Sequence, residues 1–247
     1  MSPRGWALVT GARARLGRTL ATAAAEAGYD VVVHAREAAD AEATAREIEA
    51  IGRQARLAGG DLSDPEVGQA LVADAPGPLR LLVSSASLFE RDDAATATPA
   101  AFDAAQAVNL RAPILLTQAF AARLAPEDRG LVVNLIDQKV LRLDPRFFSY
   151  TVAKAGLWAA TQMMAQAFAP RVRVNAIGPG PTLASVHQTA ESFAAEVAGT
   201  LLGEAVGLDQ IRLALRYLID ARSVTGQMIA ADAGQHLGWR TPDVIES

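Results

Sequence analysis

The sequence Trp-Ala-Leu-Val-Thr-Gly-Ala-Arg-Ala-Arg-Leu-Gly, residues 6–17, joins an apolar run to a helical pattern through a loop bounded by glycines. The apolar run has the length of one buried strand. Gly11 and Gly17 allow the backbone after that strand to come close to a bound phosphate, and the N–H groups at the start of the following helix favour negative charge. The stretch therefore predicts a strand–loop–helix unit that binds the pyrophosphate of a dinucleotide.

The rest of the chain repeats the alternation of short apolar runs with longer amphipathic segments. Strands are predicted at residues 6–10, 31–34, 54–58, 79–84, 131–136, 172–177 and 227–231, and helices at residues 15–28, 38–52, 64–74, 99–126, 149–169 and 207–221. Near-continuous apolar runs are typical of strands buried on both faces, and strand–helix alternation favours an α/β fold. We expect one domain over residues 1–247, a doubly wound Rossmann fold whose mostly parallel seven-stranded sheet carries helices on both faces.

The composition argues against several classes of protein. A net charge of −4 gives no electrostatic basis for binding nucleic acid. The chain has no cysteine and three scattered histidines, so we expect no disulfide, thiol nucleophile or metal site. No apolar stretch is long enough for a membrane span or a signal peptide, which predicts a soluble, cytoplasmic protein without a membrane partner.

Tyr150 and Lys154 are the clearest catalytic candidates. They stand four positions apart in a predicted helix, and about 400° of rotation places both on one face. A tyrosine hydroxyl ionises near pH ~10, and a neighbouring cation favours its ionised form. We therefore expect Lys154 to lower the pKa of Tyr150 and to make Tyr150 a usable general acid. Asp137, thirteen positions before the tyrosine, completes the candidate group.

The end of the second predicted strand should select the cofactor. An acid there binds the 2′-hydroxyl of NAD, whereas an arginine accepts the 2′-phosphate of NADP. The chain has Arg36 followed by Glu37, and we expect NADPH, bound by Arg36 with help from Arg13 or Arg15. A small shift of the loop would give Glu37 the deciding position and favour NADH. Asp61, after the third predicted strand, is equally consistent with an acceptor for the adenine amino group and with a loop cap.

These motifs together resemble the short-chain dehydrogenase/reductase family over nearly the whole chain. The residues that carry the resemblance are the loop at 10–17, Asp61-Leu62, Asn109, Tyr150 and Lys154, Gly178-Pro179-Gly180 and the segment 224–227. The family usually has a serine thirteen positions before the tyrosine, where this chain has Asp137.

Three features are similar to the pteridine reductase branch, which includes the bacterial dihydromonapterin reductases. Aspartate stands at 137, and the loop pattern T-G-x-x-x-R-[LI]-G is matched, with Arg15 in place of a glycine. The branch also has an Asn-Ala-Ser segment followed by an aromatic residue. Here Ala86, Ser87 and Phe89 match that segment, while Ser85 replaces the asparagine.

The resemblance implies an NADPH-dependent reductase that transfers hydride to the C=N group of a reduced pterin or dihydrofolate-like heterocycle, with Tyr150 as proton donor. The implied cofactor-binding residues are Gly11, Arg13, Arg15, Leu16, Gly17, Arg36, Asp61, Leu62, Ser85, Ala86, Ser87, Lys154, Pro179, Gly180 and Thr182. The implied substrate-binding residues are Arg15, Ser87, Phe89, Asp137 and Tyr150, with Phe89 stacked on the pterin. The family resemblance also implies a homotetramer and a substrate lid at residues 183–203.

Asn109 is the fourth catalytic candidate. Pro113 lacks the N–H that would bond to the carbonyl of residue 109, so the helix should kink there and leave that carbonyl available. In the family this carbonyl binds a water that reaches the catalytic lysine.

Two other functions remain open from the sequence. A short-chain carbonyl reductase would act on an oxoacyl or ketone substrate, and a serine at position 137 would favour it because a hydroxyl donates to a carbonyl oxygen. Asp137 favours the heterocycle instead. A catalytically inactive NADPH-binding sensor would fit the presence of Ser84-Ser85 where the family usually has asparagine. The presence of both Tyr150 and Lys154 argues against it.

Overall fold

The computed structural model describes residues 4–239, which form one seven-stranded sheet with the strand order β3-β2-β1-β4-β5-β6-β7. All six strand pairs are parallel, so the sheet is entirely rather than mostly parallel. The strands are β1 (Trp6–Thr10), β2 (Asp30–Ala35), β3 (Ala55–Gly59), β4 (Leu79–Ser84), β5 (Gly130–Leu135), β6 (Val172–Pro179) and β7 (Met228–Ala231).

Helices cover both faces of this sheet. They are α1 (Arg15–Glu26), α2 (Glu42–Ala50), α3 (Pro65–Ala73), α4 (Pro99–Gln106), α5 (Ala112–Arg123), α6 (Phe148–Phe168), α7 (Ala190–Ala198) and α8 (Leu208–Asp220). Successive side chains of a strand point to opposite faces, which divides the core into two layers. Val9 of β1 packs with α1, α2 and α8, whereas Leu8 packs with α3, α5 and α6. The predicted doubly wound α/β fold is confirmed.

The strand order reverses direction at β1, which has β2 on one side and β4 on the other. In parallel α/β sheets, ligands bind at the carboxyl ends of the strands where the order reverses. The hydroxyl of Thr10, at the end of β1, accepts hydrogen bonds from the backbone N–H groups of Ser85 (3.0 Å) and Ala86 (3.2 Å). The loops after β1 and β4 are thereby held together at this point.

The helix predicted at 99–126 is interrupted rather than continuous. Ala107–Arg111 form a π-helical turn between α4 and α5, in which the N–H of Ala112 donates to the carbonyl of Ala107. The predicted break near Pro113 is correct, because proline has no N–H to continue the regular ladder, and the break takes the form of this wider turn.

Two smaller differences concern the other helices. The segment 38–52 begins with a 3₁₀ turn at Ala38–Ala41 before α2 starts, and α7 lies within the predicted lid segment. Within residues 4–239, no helix combines the length and the apolar character needed to cross a bilayer.

Candidate active site

A cavity of about 740 Å³ opens at the carboxyl ends of the strands. Most of the predicted cofactor-binding residues line it: Gly11, Arg13, Arg15, Leu16, Gly17, Arg36, Asp61, Leu62, Ser85, Ala86, Ser87, Lys154 and Pro179. Phe89 and Tyr150 also line it, as does Glu37, the alternative residue for selecting the cofactor. The lining further includes residues that the sequence analysis did not single out for binding: Ala14, His34, Ala35, Asp40, Gly60, Val108, Leu135, Ile136, Ser185 and Val186. One cavity therefore combines most of the predicted cofactor groups with Tyr150 and Lys154, whereas Asp137, predicted to act in catalysis and substrate binding, is not among its lining residues.

The glycine loop fits a pyrophosphate. Gly11 has a φ of +65°, and a Cβ there would lie 2.6 Å from the Cα of Ala86, so only glycine allows the two loops to approach this closely. A Cβ on Gly17 would collide with the carbonyl of Gly11. Helix α1 begins after Ala14 without a side-chain cap, which leaves the N–H groups of its first turn available to an anion.

His34 braces the glycine loop and is one of the residues that sequence reasoning missed. Its imidazole is buried, and Nδ1 accepts the N–H of Gly11 at 3.4 Å while Nε2 donates to the carbonyl of Gly60 at 3.0 Å. Burial lowers the pKa of His34, which keeps the ring neutral and able to accept at Nδ1. A near-continuous apolar strand gives no signal for this role.

Arg15 holds the loop that follows β6. It has a φ of +54°, and its guanidinium donates to the carbonyls of Ala184 (2.9 Å) and Leu183 (3.0 Å). Ser185 and Val186 of the same loop line the cavity. The predicted contacts of Arg15 with pterin and phosphate remain predictions, whereas its attachment to this loop is a feature of the fold.

Tyr150 and Asp137 form a hydrogen-bonded pair. The tyrosine hydroxyl donates to Asp137 Oδ2 at 2.9 Å, and the other carboxylate oxygen accepts the backbone N–H of Lys139 at 2.9 Å. The ammonium of Lys139 lies 4.0 Å from that second oxygen, and the Asp137 side chain is 17% exposed. The carboxylate thus connects a buried hydroxyl with the solvent-accessible edge of the site.

The expected effect of Lys154 on its neighbour is wrong in direction. Burial, and then the charge and hydrogen bond of Asp137, raise the pKa of Tyr150 well above its ordinary value, so the hydroxyl is protonated at neutral pH. Lys154 is also buried, which lowers its own pKa to about 8. Its ammonium donates to the carbonyl of Leu135 at 2.7 Å and lies 5.6 Å from the centre of the Tyr150 ring. Desolvation and the adjacent carboxylate outweigh the cation.

Asn109 lies outside the cavity lining and acts through its side chain. Its Oδ1 accepts from the hydroxyl of Ser87 (2.9 Å) and the N–H of Leu88 (3.0 Å), and its Nδ2 donates to the carbonyl of Leu88 (2.8 Å). These three bonds fix the loop after β4, which carries Ser87 and Phe89 to the cavity. The water-binding role of the Asn109 carbonyl remains a prediction.

Phe89 belongs to an aromatic cluster. Its ring stacks on Phe147 with centroids 4.2 Å apart and contacts Tyr150 edge-on at 4.7 Å. His187 Nε2 donates to the Phe89 carbonyl at 3.1 Å. Phe147 has a φ of +58°, an unfavourable conformation for an aromatic residue, directly before α6 begins. One face of Phe89 is therefore covered by Phe147, a neighbour that the sequence did not indicate.

Gly180 and Thr182 are the two predicted cofactor residues that do not line the cavity. The N–H of Gly180 donates to the carbonyl of Ala231, and a Cβ at Gly180 would lie 2.6 Å from the Cα of Asp232. Thr182 donates its hydroxyl to the carbonyl of Gly180 at 3.1 Å. This part of the turn packs against the end of β7. Pro179, unlike Gly180 and Thr182, lines the cavity.

The adenosine end of the cavity carries paired charges. Arg36 Nε lies 3.6 Å from Asp61 Oδ2, and Arg13 Nη1 donates to Asp40 Oδ2 at 3.3 Å. Asp61 also accepts the N–H of Ser63 at 2.8 Å, which is a loop-capping contact. The structure thus supports the capping role of Asp61; its contact with adenine remains a prediction.

Comparisons with known proteins agree with this geometry. Residues 5–195 match the family model described as short chain dehydrogenase. L-xylulose reductase from Bos taurus is 30% identical, covering 92% of this chain and 95% of its own sequence. An uncharacterized oxidoreductase of Mycobacterium tuberculosis is 34% identical over 72% of this chain and 70% of its own.

The crystal structure of FolM alternative dihydrofolate reductase 1 from Brucella canis, complexed with NADP, is similar to this fold throughout. Its TM-score is 0.94 and its identity is 42%, with 99% of each chain covered. The FolM structure from Brucella suis, also in complex with NADP, has the same TM-score of 0.94 and the same identity of 42%.

Proposed function

The chain belongs to the short-chain dehydrogenase family as an NADPH-dependent oxidoreductase, and we propose that it reduces a C=N bond in a reduced pterin or dihydrofolate-like heterocycle. Tyr150 is the proposed proton donor. NADPH, when bound, supplies the hydride. The proposed cofactor-binding residues are those of the cavity lining, with Lys154 and Pro179 at the reacting end and Arg36 at the adenosine end.

The hydrogen bond from Tyr150 to Asp137 is the observation that carries the proposal. A ketone reductase needs a neutral donor beside the tyrosine to hold the carbonyl oxygen, and a carboxylate cannot donate when ionised. A ring nitrogen that gains a proton during reduction is instead stabilised by a nearby anion. The 2.9 Å contact places that anion next to the proton donor.

The proposed proton path runs from the edge of the cavity inward. The raised pKa keeps Tyr150 protonated at neutral pH but makes it a weak acid, so in this proposal Tyr150 gives its proton to the substrate nitrogen as it regains one from Asp137. Asp137 accepts from the same hydroxyl and is partly exposed, so it can return a proton taken from solvent. Lys139 holds the far side of the carboxylate through its backbone N–H.

The similarity to FolM alternative dihydrofolate reductase supports the same substrate class. Phe89 gives the cavity an aromatic face on which a flat heterocycle could stack once Phe147 moves aside. Arg15 and Ser87 are the proposed polar contacts to the heterocycle, since both line the cavity.

A carbonyl reductase is the second candidate, because L-xylulose reductase is among the relatives. Purified protein tested for NADPH oxidation with dihydrobiopterin, dihydromonapterin, dihydrofolate, a sugar ketone and an oxoacyl thioester separates the two. Turnover of at least one pterin or folate, with much slower turnover of the ketones, supports the proposal. Ketone turnover alone would replace it with the carbonyl reductase, and NADPH binding without any turnover would favour the sensor.

A homotetramer in the cytoplasm is also proposed, from the family resemblance. Leu157 and Met164 of α6 are buried in the core and are therefore unavailable to a partner subunit. Met163 on the same helix is 67% exposed and remains available. Sedimentation of purified protein would measure the number of subunits.

A further inference from the structure

We infer that Asp40 weakens the binding of the cofactor 2′-phosphate, because its carboxylate is hydrogen-bonded to the Arg13 guanidinium that the phosphate would use. The inference rests on the proposed function of the adenosine end as the 2′-phosphate site. It concerns a residue in the 3₁₀ turn before α2, outside the glycine loop and the end of β2.

The adenosine end is not a simple cationic pocket. Its charged lining residues comprise two cations and three anions, namely Arg13, Arg36, Glu37, Asp40 and Asp61. A 2′-phosphate brings a charge of about −1.5 to −2 at neutral pH, if it behaves like other phosphate monoesters. It therefore enters a region where three carboxylates already outnumber two guanidinium groups. Each carboxylate that stays in place opposes the phosphate.

The two paired carboxylates differ in what else holds them. Asp61 is fixed by the N–H of Ser63 as well as by its proximity to Arg36. Asp40 contacts Arg13 at 3.3 Å, and among residues 4–239 its carboxylate makes no other hydrogen bond or ion pair. Asp40 is therefore the carboxylate whose charge can be removed without disturbing a loop.

The pair is exposed enough to exchange. The side chains of Arg13 and Asp40 are 67% and 44% exposed, and ion pairs of this kind contribute little to stability. A phosphate with three acceptor oxygens can thus replace the carboxylate on Arg13, but the displaced Asp40 remains nearby as a like charge. An asparagine at position 40 would keep the size of the side chain and remove that repulsion.

Asp40→Asn should therefore bind NADPH about 2- to 5-fold more tightly than the wild type, a range typical of one exposed charge pair, while its affinity for NADH stays unchanged. Dissociation constants of both cofactors, measured by nicotinamide fluorescence at low ionic strength, give this ratio without using catalytic activity. Added salt should reduce the gain, since exposed charges are screened.

Glu42→Gln is the matched control. Glu42 begins α2, pairs with Arg46 and does not line the cavity, so its neutralisation changes the net charge equally without touching Arg13. An equal gain in Glu42→Gln would show that the effect is one of general charge and would overturn the inference.

Arg13→Ala tests the assignment of the 2′-phosphate site separately from the role of Asp40. It should weaken NADPH binding selectively over NADH binding. Adding Asp40→Asn to it should give a smaller gain than Asp40→Asn gives in the wild type, because only the direct repulsion between Asp40 and the phosphate is then removed. If Arg13→Ala leaves the NADPH to NADH ratio unchanged, the assignment of the 2′-phosphate site is wrong. If that ratio falls but Asp40→Asn alone gives no tighter binding of NADPH, the role of Asp40 is wrong. A gain that is as large without Arg13 as with it would also contradict the inference.

Discussion

Replacing Lys154 with methionine should remove a gain in stability that the protein shows as pH rises from 7 to 9.5. The folded-state pKa of Lys154 is about 8, against an ordinary value of 10.5. Between these values the unfolded chain binds a proton that the folded protein does not. The free energy of unfolding therefore increases with pH across this window. With these two pKa values, the linkage relation gives an increase of about 2 kcal/mol between pH 7 and 9.5.

The assay is urea unfolding of the wild type and of Lys154→Met at several pH values within that range. The difference between the two pH profiles isolates the lysine, because every other titrating group is shared. Lys139→Met, which removes the chain's other lysine, is the control for the loss of a lysine side chain as such. The range stops at pH 9.5 because Tyr150, whose pKa is raised, acts in the opposite direction above pH ~10. Parallel profiles for the wild type and Lys154→Met would refute the claim that burial depresses the lysine.

Three other predictions concern single side chains. Tyr150→Phe should lower kcat by about 10²- to 10⁴-fold, the usual contribution of a general acid, and leave NADPH affinity intact; equal loss in both measurements would point to misfolding of the site instead. Asn109→Leu should lower the free energy of unfolding by about 2–4 kcal/mol in urea, because Leu88 loses both of its bonds to that side chain; an unchanged midpoint would contradict this. Arg15→Ala should speed proteolytic cleavage in the loop after β6 relative to Arg13→Ala, because the Arg15 guanidinium donates to two carbonyls of that loop; equal rates would show that the loop is held elsewhere.

The strands were predictable because parallel strands buried on both faces leave near-continuous apolar runs. The runs at 6–10 and 79–84 coincide with β1 and β4, and the others differ from the observed strands by at most two residues at either end. The interruption near Pro113 was also predictable, since proline removes a backbone donor. Its form as a π-helical turn was not, because a missing N–H predicts an interruption without specifying its geometry.

The site was only partly predictable. The spacing from Asp137 to Tyr150 indicated a group, but the hydrogen bond between them exists because the segment after β5 returns beside α6. The direction of the Tyr150 pKa shift depends on burial, which four-residue spacing does not reveal. Asp40 pairs with Arg13 and Phe147 stacks on Phe89, and both contacts join residues far apart in the sequence. Nothing in the local sequence of Asp40 or Phe147 distinguishes them from surface residues.

The central claim is that Asp137 beside Tyr150 serves the reduction of a heterocyclic C=N bond. Its most direct test is the rate of NADPH oxidation with dihydrobiopterin and dihydrofolate, measured side by side for the wild type and Asp137→Asn. The account predicts turnover of at least one of these by the wild type and a loss on the order of 100-fold in the variant, with NADPH binding retained. Wild-type turnover that Asp137→Asn fully retains, or a wild type that reduces ketones but neither heterocycle, would contradict it.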